Sequence, residues 1–133
     1  MEKVKVVVRY SCGRLIKGFT QDFLPAKKLF HLTPIDNPSG ESIEVSIEDL
    51  KAIFIVQDFA GHPLYKERKK YDAAEKPSGQ KVEVTFIDGE VLIGSTLNYD
   101  PKRQGFFIFP ADPKSNNIRV YVVSSFVEKV RYL

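Results

Sequence analysis

The stretch LFHLTPIDNPSGESIEVSI, residues 29–47, returns as GFFIFPADPKSNNIRVYVV at residues 105–123. The echo runs well beyond these lines. At an offset of 76, Lys5, Val6 and Val8 fall on Lys81, Val82 and Val84, Gly13 and Gly18 on Gly89 and Gly94, and Thr20 on Thr96. Phe23 meets Tyr99, Pro25 meets Pro101, Phe30 meets Phe106, Pro34 meets Pro110 and Asp36 meets Asp112. A one-residue slip in the NPSGES and PKSNN turns then sets Ile43 and Val45 on Ile118 and Val120. Glycines, prolines and aromatics that agree in order constrain the chain to two copies of one unit. Two copies indicate duplication, since a solenoid needs at least three stacked repeats to bury its faces.

Each copy reads as five short strands. KVVVRY and KVEVTF open the copies, and CG or DG follows as a hairpin turn, with Gly13 and Gly89 supplying the positive φ of a type I′ turn. RLIKGFTQDF and EVLIGSTLNYD are second strands, whose interior Gly18 and Gly94 predict a bulge or sharp bend. KKLFHLTP and GFFIFP are third strands stopped by proline, and SIEVS and IRVYVV are fourth strands. A short turn, IEDL or SSF, leads into the last strands KAIFIV and VEKVRYL. Five strands with a one-turn helix before the last is the pattern of a small barrel, which closes a bent sheet and removes most of its edges. The predicted fold is all-β: two tandem five-stranded SH3-like or Sm-like small barrels, residues 1–57 and 80–133, related by internal duplication.

Residues 58–79 link the copies. Phe59, Leu64 and Tyr65 are expected to pack across a barrel, while KERKKYDAAEKPSG reads as a charged linker with a short helix from Lys66 to Ala74. A unit of about 55 residues is marginal alone, so the two copies should pack together. Hydrophobic content of 43% with 28% charged residues is that of a globular chain. Single Cys12 allows no internal disulfide and fits a reducing compartment. The amino-terminal apolar run is only Val6 to Val8, too short for a signal peptide, and no run reaches the length of a membrane span. A cytoplasmic location with no membrane partner is the expectation.

GFFIFPADPKSNNIRVYVV, DGEVLIGSTLNY, GRLIKGFTQDF and LKAIFIVQDFAG together resemble a bacterial family of unknown function, over essentially the whole chain. Members of that family occur as standalone proteins and as pieces of larger signalling proteins. The resemblance implies a cytoplasmic bacterial module that is not an enzyme, and it supplies no site residues.

The residues themselves offer little chemistry. Gly13 and Gly18 form neither GxGxxG nor a P-loop, and no helix follows them to present amides to phosphate. His31 aligns with Phe107, as a strand-packing position would, His62 sits in a loop, and with one cysteine they make no metal-ligand cluster. Cys12 is a turn residue, Ser124 and Ser125 have no histidine placed as a partner, and Glu48, Asp49, Asp88 and Glu90 sit where turns carry solvated charge. No catalytic residue, cofactor or metal is therefore predicted. A cyclic dinucleotide sensor of the PilZ kind needs an RxxxR arm, which is absent, and a [DN]xSxxG motif, where Asn37 and Ser39 are followed by Ser42 in place of glycine.

Two binding readings remain. The first is a protein–protein adaptor, since small barrels expose an edge strand that can accept a partner strand, and IRVYVV and KAIFIV are apolar enough to serve. The alternative is an Sm-like single-stranded RNA binder. Its candidate contacts are Lys27 and Lys28 in PAKK and Lys102 and Arg103 in PKRQ, at the same loop of both copies, beside Phe30, Phe106 and Phe107. Lys66, Arg68, Lys69 and Lys70 in YKERKKY complete the set. Cations for phosphate beside aromatic faces are what single-strand binding needs. The overall net charge of +3 is nonetheless mild, and the Asn98–Asp100 order is the reverse of an Sm-type loop.

Overall fold

Valine alternation sets the strands that open each half. Val6 and Val8 point inward from Val4–Tyr10 (β1), and Val82 and Val84 from Gln80–Phe86 (β6), all of them fully buried, because alternate side chains of a strand share one face. The computed structural model describes residues 3–37, 40–60, 79–97, 99–112 and 115–133. After β1 come Leu15–Thr20 (β2), Leu29–Pro34 (β3), Ile43–Ser46 (β4), a one-turn 3-10 helix at Ile47–Asp49, and Leu50–Val56 (β5). After β6 come Val91–Thr96 (β7), Gly105–Pro110 (β8), Asn117–Val123 (β9), a second 3-10 turn at Ser124–Phe126, and Val127–Tyr132 (β10). The chain is all-β, as expected. No helix among the described residues is long and apolar enough to cross a membrane.

The two closed barrels expected from the sequence are not what forms. All ten strands belong to one open antiparallel sheet in the order β10-β6-β7-β8-β9-β5-β1-β2-β3-β4. Among the described residues β4 has no bonded neighbour beyond β3, and β10 none beyond β6. The cause lies in the middle of the sheet. The outer edge of β5 is taken by β9, with Ala52 opposite Val122, Ile53 opposite Tyr121 and Phe54 opposite Val120. The strands KAIFIV and IRVYVV, open in sequence to an internal or an external role, are thus used on each other. Within the sheet, β6–β10 follow the same pairing order as β1–β5.

The sheet curls enough to make two cores. Phe30 and Leu32 of β3 and Val45 of β4 share a buried cluster with Val6, Val8, Ile53 and Ile55. Val82, Val84, Phe86, Phe106 and Ile108 form the second cluster. Alternation lets the junction strands serve both: Ile53 and Tyr121 belong to the first core, Ala52, Val120 and Val122 to the second. A strand buried on both faces must be apolar throughout, and each such Val or Ile side chain contributes about 1.5–3 kcal/mol on burial.

Three local expectations change on inspection. Gly13 and Gly89 do carry positive φ, +96° and +92°, but no non-glycine residue among the described residues does. With Gly13 N–H donating to Tyr10 C=O at 3.0 Å and Tyr10 N–H to Arg14 C=O at 2.8 Å, the loop is a three-residue type I turn with a glycine bulge, since type I′ needs two positive φ values. Gly18 and Gly94 mark close approach and no register shift: a Cβ there would stand 2.4 Å from the Thr33 carbonyl oxygen and 2.3 Å from that of Phe109. Finally, Phe30 faces Val45 while Phe106 faces Val122, and Leu32 faces Ile43 while Ile108 faces Val120. The slip in the turn therefore runs the other way, setting Ile43 on Val120 and Val45 on Val122. The two alignments differ by two residues, which keeps every side chain on the same face, so alternation alone could not choose between them.

The junction is stitched beyond the ladder. Asn116 receives the Asp58 N–H on its Oδ1 at 3.0 Å and donates Nδ2 to the Asp58 carbonyl at 2.9 Å. Phe59 packs edge-on against Phe19 at 5.3 Å, and Lys17 Nζ donates to its carbonyl at 2.8 Å. Phe59, expected to pack across a barrel, lies against β2 of the open sheet. Leu64, Tyr65 and the helix predicted from Lys66 to Ala74 lie outside the described residues.

Candidate functional site

Strand β8 is aromatic on both faces, one buried in the second core and the other set partly against the first. Phe106 and Ile108 are buried in the second core, while Phe107 and Phe109 point the other way, Phe109 being 36% exposed. Phe107 lies in an aromatic floor: its ring centroid is 5.1 Å from Tyr121 and 6.3 Å from Phe23, and Phe23 is 5.2 Å from Tyr121. Over this floor the halves leave a cleft of about 840 Å³. The first half contributes Pro25, Ala26 and Lys28; the second contributes Leu97, Arg103, Gln104, Phe107, Phe109 and Arg119, among others.

The two loops singled out as PAKK and PKRQ face one another here. Gln104 Nε2 donates to the carbonyls of Pro25 and Lys27, both at 2.7 Å, and Tyr121 Oη donates to Pro25 C=O at 3.3 Å. Burial pushes the Tyr121 phenol above its usual range, with Gln104 and Arg103 pulling it part of the way back. The loop before β3 is thereby fixed against the loop before β8, and the two basic dipeptides become one cluster.

Of the eight predicted contacts, Lys28 and Arg103 line the cleft. Lys27 and Lys102 are exposed in the same two loops but do not line it. Lys66, Arg68, Lys69 and Lys70 lie outside the described residues. Of the companion aromatics, Phe30 and Phe106 are core residues; Phe106 and Phe107 line the cleft and Phe30 does not. Arg119 went unnoticed in the sequence; its guanidinium sits 4.5 Å over the Phe107 ring, the cation–π geometry. Its signal was an arginine inside the apolar run IRVYVV. No acidic side chain is among the described residues that line the cleft. Among the described residues, Asp100 is paired with one lining cation, its carboxylate 3.9 Å from Arg103 Nε, a pair exposed on both sides and worth little.

A model of the family described as "Family of unknown function (DUF6982)" matches residues 2–133. The chain belongs to that family. No curated protein and no solved structure matches it.

The other sequence candidates have specific surroundings. Asp88 and Glu90 clasp a buried lysine: Lys51 Nζ is 2.7 Å from Asp88 Oδ2 and 2.6 Å from Glu90 Oε1. The hydrogen bond from Lys51 holds the Asp88 carboxyl below its usual range. Cys12 is an exposed free thiol at the first hairpin, and Ser124 Oγ is buried with no hydrogen-bond partner among the described residues. His31 is exposed, not packed as its alignment with Phe107 suggested, and its Nδ1 meets Asp22 Oδ2 at 2.7 Å. His62 lies outside the described residues. No group of three or more His, Cys, Asp or Glu among the described residues is arranged to hold a metal.

Proposed function

We propose that this chain is a non-catalytic binding module whose cleft takes single-stranded nucleic acid. One observation carries the reading: Lys28, Arg103 and Arg119 surround the rings of Phe107 and Phe109 in a cleft whose described lining holds no acid. Phosphates need cations and unpaired bases need flat apolar faces, and the combination binds single strands with little regard to sequence. The mild net charge of +3 is no objection, because three cations over low-dielectric walls focus potential locally. We take residues 1–57 and 80–133 to be duplicated copies of one SH3-like or Sm-like unit, joined by 58–79 and working in a bacterial cytoplasm. The shared pairing order supports this.

A second reading, a protein adaptor built by strand addition, is favoured by the outer edge of β4, which carries no strand among the described residues. That edge is only four residues long. The other edge, β10, bears Glu128, Lys129 and Arg131, charges of the kind that discourage strand addition.

Fluorescence anisotropy of labelled single-stranded RNA and DNA tests the first reading. Micromolar binding is expected at low salt, and three phosphate contacts give a slope of about −2 in log affinity against log salt. The triple variant Lys28→Glu, Arg103→Glu, Arg119→Glu should abolish binding, and alanines at Lys66, Arg68, Lys69 and Lys70 measure what the linker adds. No binding at low salt would overturn this reading. A protein partner captured by the wild type and lost on placing a proline in β4 would install the second.

A further inference from the structure

The first half has a pocket of its own at the matching place. Phe19 faces Thr33 as Ser95 faces Phe109, and His31 faces Glu44 as Phe107 faces Tyr121. By register, then, Thr33 and His31 of the first half stand where the cleft has Phe109 and Phe107. These two residues, with Lys3, Phe19, Gln21, Asp22 and Ser42, line a pocket of about 220 Å³. The same location is hollow in both halves, but the two phenyl groups at the matched positions of one are replaced by imidazole and hydroxyl in the other, which also carries the Asp22 carboxylate where the described lining of the cleft has no acid.

The imidazole is held in one orientation. Asp22 Oδ2 lies 2.7 Å from His31 Nδ1, and Asp22 Oδ1 accepts the His31 backbone N–H at 2.9 Å and the Thr20 hydroxyl at 3.3 Å. A carboxylate only accepts, so Nδ1 carries the hydrogen, and in the neutral ring Nε2 then has a lone pair for a donor. Nε2 is not engaged by Asp22, and the side chain is 47% exposed. The pocket thus offers an imidazole, two hydroxyls, an amide and one ammonium beside the Phe19 ring, with the Asp22 carboxylate already engaged by His31 and Thr20. Its chemistry suits a sugar hydroxyl beside a phosphate.

The pocket and the cleft are neighbours along the chain. Asp22 lines one and Pro25 the other, and three residues span at most about 11 Å.

We infer that the first-half pocket is a second contact for the same strand and reads its ribose. His31 Nε2 accepts the 2′-hydroxyl hydrogen, Thr33, Ser42 and Gln21 bond the sugar oxygens, and Lys3 sits against the adjoining phosphate. The 2′-hydroxyl is the group by which a protein tells RNA from DNA. This inference rests on the cleft reading and adds a polarity of preference to it.

The test compares one sequence as RNA and as DNA by anisotropy, on the full chain. Wild type should bind RNA about five- to tenfold more tightly, the worth of one or two good hydrogen bonds. His31→Phe puts at an exposed position the residue that the other half carries there; it should bring RNA affinity down to that of DNA. Asp22→Asn should do the same in part, by releasing the ring. In wild type, the His31 ring resonances should shift on adding RNA and stay in place on adding DNA. Equal binding of RNA and DNA, or a preference that survives His31→Phe, overturns the ribose contact and leaves the cleft standing. Absence of binding by either strand removes the cleft reading and this one with it.

Discussion

Lys51 offers a sharp test of how the halves are held together. It sits on β5 of the first half with its side chain only 9% exposed, yet it reaches the β6–β7 hairpin of the second half, between Asp88 and Glu90. Its ammonium lies 4.8 Å from the Phe86 ring centroid and 6.0 Å from that of Phe126. The carboxylates are 44% and 57% exposed, so the burden of desolvation falls on the lysine alone. Two perturbations should therefore differ. Asp88→Asn with Glu90→Gln strands a buried cation. Removing the partners of a buried charge costs about 3–5 kcal/mol, and discounting for the exposed carboxylates brings this to roughly 2–3 kcal/mol. Lys51→Met removes the charge and keeps the volume. It forfeits a cation–π contact and two half-exposed pairs but relieves the desolvation, a net of about 0–1.5 kcal/mol. The triple variant should be no less stable than Lys51→Met. Urea denaturation followed by circular dichroism measures all four proteins, with about 4 °C in Tm expected per kcal/mol for a chain of this length. If Lys51→Met proves the more damaging, or if the triple variant adds the losses, then the lysine's attraction outweighs its burial and the reasoning is wrong.

Four further outcomes follow from the same geometry. Gly18→Ala and Gly94→Ala each drive a Cβ to within 2.4 Å of a facing carbonyl oxygen and should cost about 1–3 kcal/mol in urea unfolding; a neutral result would mean that β2 and β7 can retreat from their neighbours. Ser124→Ala removes a buried hydroxyl without a partner among the described residues and should raise stability by up to about 1 kcal/mol, read as a higher urea midpoint. The Asp22 carboxyl feels an upward push from burial, but the His31 backbone N–H and ring and the Thr20 hydroxyl outweigh it, and Asp88 is lowered by Lys51. Both folded values lie under the usual 3.8, so the unfolded chain binds protons first and stability falls as pH drops through the folded values; urea midpoints from pH 6 downward should show it, less steeply in Asp22→Asn and Asp88→Asn. Lys129→Ala with Arg131→Phe should turn a dispersed chain into concentration-dependent oligomers in sedimentation, for the reason given at the end.

Much of the fold was legible because strands, turns and prolines announce themselves locally. Alternating valines gave β1 and β6, Pro34 and Pro110 end β3 and β8, and IEDL and SSF became the expected single turns. What stayed hidden was set by partners far along the chain. Nothing local says that β5 will bond to β9, although both being apolar on two faces was the clue. The site divided in the same way. Lys28 and Arg103 could be picked out because basic residues recur in both loops, whereas Arg119 and Phe109 acquire meaning only once β8 and β9 turn one face to the first half. The clearest unread signal was the contrast between LFHLTP and GFFIFP: a third strand polar on its outer face in one copy is aromatic there in the other.

The pairing of β5 with β9 joins unlike edges, a fifth strand to a fourth. Had two fifth strands met, the molecule would have had a twofold axis and two identical ends. Instead it has a head and a tail: among the described residues, a fourth strand, β4, has an open outer edge at one end and a fifth, β10, at the other. These are the same two kinds of edge that already fit together in its middle, so the operation that docked one half on the other could be applied again to a new molecule, and again after that. The registers show what interrupts it. Val130 faces Val84 as Ile53 faces Val8, which sets Lys129 and Arg131 where β5 has Ala52 and Phe54. A next molecule would have to take two cations into its core. Two side chains, Lys129 and Arg131, thus stand between this arrangement and its head-to-tail repetition.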